Sequence, residues 1–269
     1  MELYKKALAD LLGEVHSRNP LVHQITNYVT ANDCANVVLA LGGRPVMAED
    51  QGEVEEMVAI ASALVLNLGT LNDRKVDAMI AAGRRANGLG IPVILDPVGV
   101  GATRLRLTAA QRILNEVRVA VVRGNLSEAR ALTGENSKTC GVDSSEGQED
   151  GRDVAICLSQ QRGCVVAITG VQDIITDGTI VVSVSNGHQL LTRVTGTGCM
   201  TSALVGAYSG VTDNDYLLAA IAGVATMGLA GESAATEHVG LGTFRIKLLD
   251  YISKLTPSEL REVAKINAG

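Results

Sequence analysis

The sequence predicts an α/β fold: a central, mainly parallel sheet with helices on both faces and antiparallel edge strands. Three observations carry this expectation. Short β-branched runs alternate with helical segments as far as Thr169. Those runs are mainly apolar and do not alternate, as strands buried on both faces should be. Past Thr169 the alternation stops, and Asp177-Gly178 between two short runs signals a hairpin.

Each element follows from its own residues. Leu3, Ala7, Leu8, Leu11, Leu12 and Val15 space an amphipathic first helix, not the continuous apolar core of a secretion signal. Strands are expected at 21–26, 64–68, 92–96, 119–123 and 165–169, with helices at 32–41, 53–61, 72–87, 108–117 and 127–133. Asn72 and Thr108 stand just before amphipathic stretches, where a capping side chain belongs. The polar, acidic stretch 141–152 reads as a surface loop. The hairpin runs through 174–176 and 179–185, and a further strand is expected at about 189–194. Two glycine- and alanine-rich helices follow. No repeat or long linker divides the chain, so residues 1–269 are expected to form one domain.

Composition excludes several functions. The chain has 269 residues and a net charge of −6, and its aromatics are five Tyr, one Phe and no Trp. It lacks both the basic balance and the stacking platforms of a nucleic-acid reader. At 46% hydrophobic residues it can bury a full core. Residues 194–212 are free of charge over nearly a membrane-spanning length, but four glycines and six Thr or Ser make them too polar. With the shorter charge-free run 216–231 they read as buried helices, and no membrane partner is expected. Five cysteines (34, 140, 157, 164 and 199) form an odd set without a Cys-x-x-Cys pair. That predicts reduced thiols and a cytoplasmic protein. Cys34, Cys157 and Cys164 read as core residues.

The most informative stretch is Val194-Thr195-Gly196-Thr197-Gly198-Cys199-Met200-Thr201-Ser202-Ala203. Two glycines permit tight turns, and a helix-compatible run begins at once. Consecutive N–H groups at a helix start favour an anion, so Gly196, Thr197, Gly198 and Cys199 form a candidate anion hole. No Gly-Lys dipeptide occurs, which excludes a Walker A loop, and the third glycine of a dinucleotide fingerprint is replaced by Thr201. A thiol in the first helical turn is expected to have a lowered pKa, letting Cys199 take a proton from a substrate hydroxyl. The spacing alone equally allows a small cysteine that merely packs.

The Thr195-Gly196-Thr197-Gly198-Cys199 loop resembles the glycine loop of ribokinase-like enzymes, with cysteine where most carry a catalytic Asp. That replacement is characteristic of the hydroxyethylthiazole kinases of thiamine biosynthesis. Four more stretches are similar to that family: the runs 19–30 (Asn19-Pro20-Leu21-Val22-His23-Gln24-Ile25-Thr26-Asn27-Tyr28-Val29-Thr30), Pro45-Val46-Met47-Ala48, 95–102 (Leu95-Asp96-Pro97-Val98-Gly99-Val100-Gly101-Ala102) and Arg123-Gly124-Asn125-Leu126-Ser127-Glu128-Ala129. The resemblance spans about 19–255.

It implies a ribokinase-like kinase using ATP and Mg²⁺ to phosphorylate the primary hydroxyl of 4-methyl-5-(2-hydroxyethyl)thiazole. It also implies that Asp96 and Glu128 belong to the metal and phosphate site, as suits an ion that prefers oxygen ligands and retained water. Arg123 and Thr169 would contact ATP, Cys199 would be catalytic, and Asn27, Met47 and Gly196 would line the acceptor pocket. The family's homotrimer, with active sites at subunit boundaries, is implied as well. His23 reads as a structural hydrogen-bonding residue, while His16, His188 and His238 sit in no motif that demands them.

Two departures concern loop geometry: Gly240-Leu241-Gly242-Thr243-Phe244 lacks a family proline, and Leu105 stands where an aromatic is common. Two rival readings remain: a related kinase acting on a hydroxymethylpyrimidine, which should carry Asp at position 199, and a nucleotide-binding regulator that has lost its chemistry.

Overall fold

The computed structural model describes residues 2–134 and 151–268. The expected loop at 141–152 lies outside the described residues up to position 150; from Gly151 the chain is helical. Nine described strands form one sheet in the order β2-β1-β3-β4-β5-β6-β7-β8-β9. They are β1 (Leu21–Ile25), β2 (Arg44–Val46), β3 (Ala63–Asn67), β4 (Val93–Asp96), β5 (Val121–Asn125), β6 (Val165–Thr169), β7 (Asp173–Thr176), β8 (Val181–Val184) and β9 (Ile266–Ala268). The first six run parallel and the last three antiparallel.

Successive strand residues face opposite sides of a sheet, so a strand covered on both sides is apolar at every position. Leu64 and Leu66 therefore join one core cluster and Val65 the other. Against the Val65 face pack α1 (Glu2–Arg18), α2 (Ala31–Leu41), α8 (Thr197–Ser209), α9 (Tyr216–Ala234), α10 (Leu241–Ile252) and α11 (Pro257–Val263). The other face carries α3 (Val54–Ala59), α4 (Asp73–Leu89), α5 (Arg104–Glu116), α6 (Leu126–Thr133) and α7 (Gly151–Arg162). Among the described residues α9 is long and apolar enough to cross a membrane, yet it is mostly buried in the protein core.

Two expectations are corrected. Residues 189–193 form a short 3₁₀ helix, not a strand: His188 Nδ1 accepts from Leu190 N at 3.2 Å, and the position beside β8 is taken by β9 from the chain's other end. The helix expected from Thr108 begins at Arg104, capped by Thr103 Oγ1, which accepts from Arg106 N at 3.3 Å. Cys34, Cys164 and Cys199 are free thiols, and Cys140 lies outside the described residues.

Parallel pairing puts the carboxyl ends of β1, β3, β4, β5 and β6 along one sheet edge. The register sets Asn67 beside Asp96 and Asn125 beside Thr169. Polar residues end apolar strands there, at the edge where ligands bind in open α/β sheets.

Candidate active site

The glycine loop enters α8 from below this edge. Gly196 has a φ of +89°, and a Cβ on it would lie 2.6 Å from Thr30 Cγ2, so only glycine fits. Its carbonyl accepts from Met200 N at 2.8 Å, closing the first turn and aiming the early N–H groups of α8 along the edge. A Cβ on Gly198 would lie 2.6 Å from Arg123 Nη1. The loop backbone and the guanidinium thus meet without a side chain between them.

Cys199 stands in that first turn. Its Sγ accepts from Asn27 Nδ2 at 3.3 Å and from Asn67 Nδ2 at 3.2 Å. Asn67 Nδ2 also donates to Asp96 Oδ2 at 2.7 Å, and Ser202 Oγ donates to the same oxygen at 2.9 Å. One polar network therefore joins the ends of β1, β3 and β4 to α8. Burial pushes the Cys199 thiol up, the charge of Asp96 adds to that, and the donors from Thr30, Asn67 and Asn27 oppose it. This corrects the lowered pKa expected at a helix start: desolvation outweighs the helix end.

Asp96 is fully buried, and burial raises its carboxyl to about 6, with Arg123 pulling down and Glu128 pushing up. Its Oδ1 has no hydrogen-bond partner, and the nearest ion-pairing group, Arg123 Nη1, is 3.9 Å away. Glu128 Oε1 accepts from Gly99 N and Oε2 from Asn125 N, both at 2.8 Å, while Asn125 Oδ1 caps Glu128 N at 2.9 Å. The capping box explains the residue locally, and it also seats a carboxylate beside Asp96. Among the described residues no group of three or more His, Cys, Asp or Glu could hold a metal. A buried carboxylate oxygen left unpaired beside a second carboxylate nevertheless suits an ion that takes few protein ligands and keeps its waters.

Beside this network opens a cleft of about 540 Å³, lined by Arg123, Thr169, Asp173, Thr197, Gly198 and Met227 among others. Arg123 Nη2 donates to Thr169 Oγ1. Asp173, raised to about 6 by burial, accepts from Gly170 N at 2.9 Å and faces the same guanidinium. Met47 follows β2 at the sheet edge shared with Asn27, since Val46 pairs with His23 of β1. His23 is buried and its Nε2 bonds to Ala48 O at 2.7 Å, the structural position expected of it.

The structure thus brings Asn27, Asp96 and Cys199 into one network, sets Arg123, Thr169, Thr197 and Gly198 around one cleft, and leaves Met47 on the flank beyond Asn27. Asn67, Ser202 and Asp173 belong to the site and were missed in the sequence. An Asn closing an apolar run and a Ser one helical turn past Cys199 were the available signals.

The family model for the hydroxyethylthiazole kinase family matches residues 12–258. The hydroxyethylthiazole kinase of Ruminiclostridium cellulolyticum is 49% identical over 272 residues, 99% of each chain. The solved hydroxyethylthiazole kinase of Pyrococcus horikoshii superposes with a TM-score of 0.90 at 40% identity, over 98% of this chain and 99% of that one. A ribokinase-like superfamily protein from Enterococcus faecalis, at 12% identity, shares the fold with a TM-score of 0.64 over 93% and 95% of the two chains.

Proposed function

This chain belongs to the hydroxyethylthiazole kinase family, and we propose how its own residues divide the work of that reaction. The enzyme transfers a phosphoryl group from ATP to the primary hydroxyl of 4-methyl-5-(2-hydroxyethyl)thiazole in thiamine biosynthesis. The observation that carries the assignment is the Cys199 thiol, held by Asn27 and Asn67 at the start of α8 and beside the Arg123 cleft.

ATP binds in that cleft, with Arg123 and Thr169 toward its phosphates. Guanidinium presents a planar fork that suits phosphate oxygens. The N–H groups of Gly196, Thr197, Gly198 and Cys199 receive the transferring group, where fixed dipoles stabilise developing charge without reorganisation. Asp96, through its unpaired Oδ1, and Glu128 would hold Mg²⁺ directly or through water. When bound, Mg²⁺ neutralises phosphate charge.

The thiazole lies against Met47 with Asn27 and Gly196 fixing its orientation; a soft thioether covers a flat ring without an aromatic partner. Its hydroxyl approaches Cys199 Sγ, which in its thiolate form accepts the proton as it leaves and becomes the neutral thiol. The two asparagine amides donate to the sulfur and favour its thiolate. Phosphoryl transfer through a loose transition state depends on positioning more than on a strong base, so the minor thiolate fraction of a buried cysteine suffices.

The protein acts in the cytoplasm as a homotrimer, its acceptor pocket at the subunit boundary. Tyr28 and Val29, which adjoin Asn27 and are exposed in the single chain, support that arrangement.

The test is ADP release with the thiazole alcohol, a hydroxymethylpyrimidine, or no acceptor, in wild type, Cys199→Ala and Cys199→Asp. ADP appears with the thiazole alcohol, slows in the folded alanine variant and persists in the aspartate one. Turnover with the pyrimidine alone would sink the acceptor assignment, and unchanged turnover in Cys199→Ala would remove Cys199 from the mechanism.

A further inference from the structure

Lys75 occupies a place that its own helix does not explain. It is the third residue of α4, where the helix end already carries partial positive charge and a cation is disfavoured. Its side chain is only 3% exposed, a costly position for an ammonium group. Asp73 and the Asn72 cap, which accepts from Lys75 N at 2.9 Å, already serve the start of α4. Something outside the helix must offset that burial.

Its partners among the described residues lie on the two segments that flank the proposed acceptor pocket. Nζ donates to Thr26 O at 2.9 Å, the carbonyl just before Asn27. It pairs with Glu49 Oε2 at 2.8 Å, two residues past Met47. The Tyr28 ring lies 4.0 Å from it, measured to the ring centre. Tyr28 Oη in turn donates to Glu49 Oε1 at 2.6 Å, closing a triangle. An ammonium has three N–H donors, and the carbonyl, the carboxylate and the ring face account for all three.

From this we infer that Lys75 is a positioning residue for acceptor binding: it clamps the segment 26–28 to the segment 47–49 and so fixes Asn27 against Met47. Without it, the solvent-exposed Tyr28–Glu49 link is the remaining side-chain hydrogen bond between residues 26–28 and 47–49 among the described residues, with His23 of β1 holding Ala48 further back. The inference rests on the reading of Asn27 and Met47 as acceptor contacts. It adds a positioning device carried by α4, a helix that supplies none of the acceptor and ATP contacts assigned above.

The experiment compares steady-state constants of Lys75→Met, Lys75→Arg, Glu49→Gln, Asn27→Ala and Met47→Ala, varying the thiazole alcohol and ATP separately. Lys75→Met raises the acceptor KM on the order of tenfold, the effect of a displacement below an ångström. The ATP KM stays within about twofold, because the Arg123 cleft lies on other strands. Glu49→Gln moves the acceptor KM the same way by a smaller factor and serves if Lys75→Met does not fold. Lys75→Arg, which keeps the charge, recovers part of the loss. If Asn27→Ala or Met47→Ala raises the acceptor KM while the Lys75 and Glu49 variants leave it unchanged, the clamp is overturned and the pocket stands. An equal rise in both KM values in the Lys75 and Glu49 variants also overturns the clamp, as general loosening. If neither pocket variant moves the acceptor KM, the pocket reading fails and the clamp fails with it.

Discussion

Asn67 donates to Cys199 Sγ at 3.2 Å from the same Nδ2 that donates to Asp96 Oδ2 at 2.7 Å. One amide therefore couples the proposed proton acceptor to the proposed metal carboxylate. Removing it in Asn67→Ala withdraws a donor from each and leaves Ser202 as the one side-chain hydrogen-bond donor to Asp96 among the described residues. Turnover should fall by roughly tenfold or more, with a stability loss of about 1–3 kcal/mol for the buried groups left short of a partner. Turnover and thermal melting measured together check this, and an unchanged turnover would remove Asn67 from the chemistry.

Cys199 should behave as a reluctant thiolate. Burial and then Asp96 hold its thiol above the ordinary range, so the neutral form dominates at neutral pH. Alkylation by iodoacetamide should run slower than for a free thiol there and keep climbing into the alkaline range. Asp96→Asn removes the neighbouring charge and should speed alkylation at any fixed neutral pH. Mass spectrometry of the Cys199 peptide reads both effects. Faster than free-thiol reaction in the wild type would contradict the burial argument.

The Asp96 carboxyl makes a stability prediction with a definite sign. Its folded pKa, about 6, lies above the ordinary 3.8, so folding favours the protonated form. That contribution is complete below the ordinary value and is lost as pH rises through about 6. It amounts to about 3 kcal/mol at most. Asp96→Asn, a mimic of the protonated form, should melt several degrees higher than the wild type at mildly alkaline pH and lose that advantage in acid. Added Mg²⁺ with ATP should raise the wild-type Tm more than that of the variant, which keeps the Arg123 cleft but lacks the metal carboxylate, and turnover should disappear in the variant. Identical melting curves across the pH range would defeat the claim.

Gly198→Ala tests the loop against the guanidinium. The new methyl group would meet Arg123 Nη1 at 2.6 Å, so one of them must move. The displaced fork should weaken ATP, raising its KM by roughly tenfold, while the acceptor KM stays near wild type. A rise confined to the acceptor KM would contradict the assignment of Arg123 to the nucleotide side.

Much of this site was legible in the sequence because its residues follow local rules. Asp96 closes an apolar run, Glu128 sits three residues into a capped helix, and the Gly196 loop precedes a helix; each pattern needs only its neighbours in the chain. Asn67 was not legible. A lone Asn at a strand end reads as a turn residue until β3 and β4 pair and set it beside Asp96. The 189–193 segment failed for a related reason: its apolar residues suit a strand, but β9 takes the place next to β8.

The chain by itself determined the alternation of strands and helices, the parallel sheet, the hairpin and the position of the anion loop, because periodicity, turn chemistry and capping act over a few residues. Tertiary structure alone decided the ionisation of Cys199. Sequence shows the helix start that should lower a thiol pKa, but burial raises it, and burial depends on which distant residues close over the sulfur. The same holds for Lys75. Its charge suits a solvated helix in the sequence, and only the approach of Thr26, Tyr28 and Glu49 makes it a buried bridge.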